Sequence, residues 1–113
     1  RDYKVTGVQT CALPICFYMI CDFSNISKIS NKIKDDKLLC QVILNEVGFA
    51  MLPGSDFGLE KSKLLSRIAF VDFDGAEALR LIAEEQFSID QLDVICPRIT
   101  EGISLLKDWI NNY

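Results

Sequence analysis

One arginine in this 113-residue chain stands where it could do chemistry. Arg67 lies in the apolar run Ser66-Arg67-Ile68-Ala69-Phe70-Val71, which a short charged loop separates from the turn-forming stretch Pro53-Gly54-Ser55-Asp56-Phe57-Gly58. A guanidinium presents a planar fork of donors that matches the two oxygens of a carboxylate, and it is seldom buried without such a partner. An arginine opening a strand beside a glycine turn therefore points to a carboxylate-binding site. The competing reading is an ordinary ion pair with Asp72, Asp74 or Glu60, common on mixed-charge surfaces.

The other reactive side chains carry less. Asp35-Asp36 and Glu84-Glu85 are neighbours in sequence, so they point in different directions around a helix and read as helix-end and solvent groups, not as a catalytic pair. Arg80 and Arg98 read as solvated or paired groups at helix positions. Of five cysteines, Cys21, Cys40 and Cys96 are isolated in apolar contexts without C-x-x-C spacing, and the chain has no histidine; they are expected to be buried free thiols of a cytoplasmic protein, with no metal site. The glycine turn could also cradle phosphate through its backbone amides.

These residues must be positioned by one small domain. Half the composition is apolar, which suits a globular core and excludes disorder. The net charge is −4 with no basic run, which excludes an electrostatic footprint for nucleic acid. No apolar run approaches the roughly 20 residues that span a bilayer, so no membrane attachment is expected.

The aromatic and β-branched run Phe17 to Phe23 reads as a strand, and Ser24 to Asn31 as a polar loop. A helix starts at Asp35-Asp36, carries Leu38, Leu39, Val42, Ile43 and Val47 on one face, and ends at Gly48. Phe49 to Leu52 reads as a strand stopped by Pro53-Gly54, and Arg67 to Phe73 as the next strand, with a loop or single helical turn over Leu59 to Leu65. Asp74 with Glu77 approximates a capping box for a helix that carries Leu79, Ile82 and Ala83 and ends by about Gln86. Pro97 suits the first position of a last helix striped by Ile99, Ile103, Leu106 and Ile110. The order predicts an α+β fold, a small mixed or antiparallel sheet with its helices packed on one face.

Gly48 to Leu79, with Cys96-Pro97-Arg98-Ile99 and Glu101-Gly102 leading into the last helix, resembles the C-terminal small domain of the class I/II, fold-type I pyridoxal-phosphate-dependent aminotransferases. The resemblance extends over Phe17 to Tyr113. It implies that Arg67 grips the α-carboxylate of an amino-acid substrate, with a 2-oxo acid as co-substrate and pyridoxal 5'-phosphate as cofactor. It further implies a homodimer whose large domain supplies the Schiff-base lysine and most of the phosphate site, leaving the 53–58 turn to shape the substrate entrance.

Ser24-Asn25-Ile26-Ser27-Lys28 imitates the family's serine-preceded lysine, but Ile29-Ser30-Asn31-Lys32 follows where the family has a glycine and an arginine. Lys28 is therefore read as a solvated loop lysine. No catalytic residue is assigned, and the chain alone is expected to be inactive. The alternative from another class is a free-standing, ferredoxin-like amino-acid-binding regulatory module.

Val5-Thr6-Gly7-Val8-Gln9-Thr10-Cys11-Ala12-Leu13-Pro14-Ile15 resembles the translation of a common sequencing adapter, and Arg1-Asp2-Tyr3-Lys4 would fit its flanking bases and index. Residues 1–16 are accordingly set apart as non-native, and the domain, shortened at its N-terminal end, is expected over 17–113.

Overall fold

A computed structural model describes residues 9–10 and 18–113. Four strands, β1 (Gln9–Thr10), β2 (Tyr18–Asp22), β3 (Leu52–Pro53) and β4 (Leu65–Ala69), pair antiparallel in the order β1-β2-β4-β3. The helices are α1 (Ser27–Ser30), α2 (Asp36–Val47), α3 (Gly75–Ala83), α4 (Leu92–Ile95) and α5 (Pro97–Asn112). This is the expected α+β layer. The adapter reading of residues 1–16 falls outside the described residues except at Gln9–Thr10, whose backbone pairs with Asp22 and Cys21.

Strand alternation decides which face of the sheet is covered. Cys21 in β2 and Ser66 and Ile68 in β4 are buried and face α2 and α5. There they join Phe23, Ile29, Leu39, Ile43, Leu106 and Ile110, each no more than 2 % exposed. Tyr18, Ile20 and Arg67 stand on the opposite face, because Ile20 and Leu52 lie directly across from Arg67 on its two neighbouring strands. Pro53, which cannot donate to a ladder, sits on the edge strand β3.

The helix boundaries follow local chemistry. The Asp35 carboxylate accepts from the backbone N–H groups of Lys37 and Leu38 at the start of α2, and Gly48 closes the helix in the left-handed region at φ 77°. Asp74 caps α3 by accepting from the Glu77 N–H at 3.0 Å. Glu77 completes only half of the expected capping box, since its carboxylate turns to Arg80. Pro97 opens α5, and the Trp109 indole of that helix donates to Glu46 of α2.

Several expectations are corrected. β4 runs from Leu65 to Ala69 and does not reach Phe73, because its described pairing with β2 ends at Tyr18 and Ala69. β3 is two residues long and shifted onto Pro53. The polar stretch Ser24 to Asn31 is not all loop: it contains α1, whose Ile29 is fully buried. Leu38 is largely exposed, while Cys40 takes its place on the buried face of α2. In α3 the buried residue is Leu81; Leu79 and Ile82 are 70 % and 57 % exposed, because α3 lies against α4 and not against the sheet.

Candidate anion-binding site

Arg67 occupies the middle strand pairing of the sheet face opposite α2 and α5, and the register dictates its neighbours. With Arg67 across from Ile20, the residue two before Ile20 becomes its diagonal neighbour on the same face, within reach of a long side chain. That residue is Tyr18, and the Arg67 guanidinium lies 4.2 Å over its ring. A second ring comes from the turn: after Pro53, a 3-10 turn over Gly54–Phe57 folds across β4 and brings Phe57 to 5.4 Å from the guanidinium. Both distances fall within the range of an energetic cation–π contact.

The turn approaches β4 closely because position 54 has no side chain. A Cβ built on Gly54 would lie 3.0 Å from the Cβ and from the carbonyl oxygen of Leu65. The Leu59 N–H donates to the Gly54 carbonyl at 3.0 Å and closes the turn from its far end. Glycine is thus the residue that lets Phe57 reach the outer face of β4.

The acids offered by sequence as ordinary partners of Arg67 are engaged elsewhere. Asp72 forms an ion pair with Arg98, Asp74 caps α3, and Glu60 accepts from Ser62 and pairs with Lys63. Asp56, next to Phe57, pairs with Lys37 at 3.5 Å. Among the described residues Arg67 has no ion-pair partner, so two aromatic faces orient its guanidinium while no carboxylate occupies its donors. Such a group receives a planar anion well.

The remaining candidates resolve simply. Lys28 is exposed on α1, and no described lysine is buried. Arg80 is held by Glu77 and Glu84 along α3, and Arg98 by Asp72. Cys21, Cys40 and Cys96 are buried free thiols, and the described residues hold no group of metal-ligating side chains. Burial pushes the Cys21 thiol up to about 11, while burial, reinforced by Asp36 and Asp56, pushes Cys40 up to about 12. These thiols are poor nucleophiles.

Asp36 departs from its sequence reading as a solvent group: it is completely buried, and both of its carboxylate oxygens accept from Ser55, one from the backbone N–H at 2.7 Å, the other from the hydroxyl at 2.8 Å. Nothing in the spacing of Asp36 and Ser55 announces the contact, because it joins two elements through the fold.

A concavity of about 410 Å³ opens between α3, α4 and α5 and is lined by Phe73, Ile82, Phe87, Leu92, Ile99 and Ile103 among others. Its walls are almost wholly apolar, so it offers nothing to orient a charged substrate. No helix among the described residues is long and apolar enough to cross a membrane. Comparison with known protein families and with curated proteins finds no match.

Proposed function

We propose that this chain is the small-domain part of a pyridoxal-phosphate-dependent amino-acid aminotransferase, in which Arg67 receives the substrate's α-carboxylate. The observation that carries the reading is the Arg67 guanidinium itself, flanked by Tyr18 and Phe57 and without an ion-pair partner among the described residues. It stands on the sheet face opposite α2 and α5. The resemblance over Gly48 to Leu79 supplies the chemical class of the anion, an α-amino acid or 2-oxo acid.

The described residues do not fit the cofactor itself. A Schiff-base lysine must lose its proton, which a desolvated setting favours, and every described lysine is at least partly open to solvent. In this reading the cofactor belongs to the large domain of the parent protein. The contribution of this chain is to bind and orient the carboxylate so that the substrate's amino group meets the reacting centre in one direction.

Exposed Val71, Phe73, Leu79, Ile82 and Val94 are consistent with a surface covered in a larger homodimeric parent, and the reduced thiols with a cytoplasmic setting. The regulatory-module alternative is less well supported. A ferredoxin-like βαββαβ plan requires a strand after the second main helix, and none follows α3 among the described residues.

The test has two arms. The isolated chain mixed with pyridoxal phosphate is expected to show no stoichiometric aldimine absorbance and no transamination; an adduct at one lysine coupled to turnover refutes the proposed division of labour. A full-length parent, recovered from the surrounding reading frame, is expected to show both.

A further inference from the structure

We propose that Asp36 is the positioning residue of the Arg67 slot, acting through Ser55 to hold Phe57 against the guanidinium. This rests on the carboxylate reading only for its purpose; the geometry is independent of it. Asp36 is a fully buried carboxylate in the first turn of α2, and its bonded neighbour lies 19 positions further along the chain. Burying a carboxylate is costly unless its oxygens are satisfied, and here a single residue, Ser55, satisfies both.

The consequence for the slot is mechanical. Ser55 is the second residue of the Gly54–Phe57 turn, and Phe57 is its last. Pinning Ser55 at both its backbone N–H and its hydroxyl ties to α2 a turn that is otherwise held through β4, by the Pro53–Ser66 pairing and the packing of Gly54 on Leu65, and by its own Leu59 N–H to Gly54 carbonyl bond. Phe57 is itself 38 % exposed. The chain of dependence runs from the N-terminus of α2, through Asp36 and Ser55, to the ring that restricts Arg67. Lys37 beside Asp36 adds a weaker exposed pair to Asp56 in the same turn.

The experiment uses the whole chain and reads the Arg67 side chain by NMR. Stacking on aromatic rings moves the Arg67 δ and ε proton signals upfield, and Phe57→Leu calibrates the share that comes from Phe57. Asp36→Ala is expected to reproduce the Phe57→Leu displacement, and Ser55→Ala to move the signals part of the way. Asp36→Asn should stay near wild type, because an amide can accept from the Ser55 N–H while donating to its hydroxyl. A general loss of stability would not move one arginine's side-chain signals in a folded chain, so amide spectra are recorded alongside.

Arg67 signals at wild-type positions in folded Asp36→Ala overturn the assignment; if that variant does not fold, unmoved signals in Ser55→Ala do so. A parallel titration with 4-methylpentanoate is expected to show about two- to fivefold weaker binding in Ser55→Ala than in wild type. Failure of the wild-type chain to bind that probe counts against the carboxylate reading alone. The positioning role is still decided by the proton signals.

Discussion

Replacing Arg67 tests the reading most directly, and the structure sets the size of the effect. Arg67 is half-buried, with its guanidinium over the rings of Tyr18 and Phe57, residues that are 43 % and 38 % exposed. Removing one partner of a well-desolvated charge pair costs about 2–5 kcal/mol, and partial exposure places Arg67 near about 2–3 kcal/mol. That corresponds to a fall of roughly 30- to 150-fold in kcat/KM for an α-amino acid in the full-length enzyme. Arg67→Lys should fall nearly as far as Arg67→Ala, since an ammonium keeps the charge but neither the fork nor the flat face that lies over Tyr18.

Stability provides the internal control. Arg67 has no ion-pair partner among the described residues, so its removal breaks no salt bridge there, and the ring contacts it gives up are worth about 0.5–1 kcal/mol at a partly exposed site. For a domain of this size that lowers Tm by about 2–8 °C, leaving a folded protein whose kinetics can be interpreted. The assay is kcat/KM for the best α-amino acid beside an amine that lacks the carboxylate, with the aldimine spectrum followed in both. Near-normal kcat/KM in Arg67→Ala refutes the reasoning, as does an equal loss for the amine without a carboxylate.

Three further outcomes are expected. Gly102→Ala, a change that usually stabilises a helix interior, should instead destabilise α5 by about 1–3 kcal/mol in urea unfolding, because the new Cβ would lie 2.9 Å from the Phe49 ring; an unchanged midpoint would show that the ring moves aside freely. Cys21 and Cys40 should resist alkylation at pH 8 until the chain is unfolded, and modification of the native protein at the rate of a free thiol would contradict their burial. Their folded values of about 11 and about 12 lie above the ordinary 9.0, so the stability they contribute is intact below about pH 9 and is lost as pH rises through the folded values.

Much of the frame is local chemistry, and the sequence by itself determined it. Asp35 before an amphipathic run, Gly48 after it, Asp74 before α3 and Pro97 at the head of α5 each act within a few residues, through caps and fixed dihedrals, and α2 and α5 stand where those signals put them. The α+β class followed from the order of those elements, and the attention to Arg67 from its place in an apolar run beside the 53–58 turn together with the resemblance over Gly48 to Leu79. Tertiary structure decided the rest. Strand pairing moved β4 back to Leu65 and put Tyr18 diagonally across from Arg67, a relation that depends on register and not on any spacing within one strand. Docking against α4 turned Leu79 and Ile82 outward, although their periodicity marked them for the core. Asp36 shows the limit most clearly: an acid at a helix start reads as a solvent group until a turn from elsewhere in the chain closes over it, because the hydrogen bonds that make its burial tolerable exist only once the fold has brought Ser55 there.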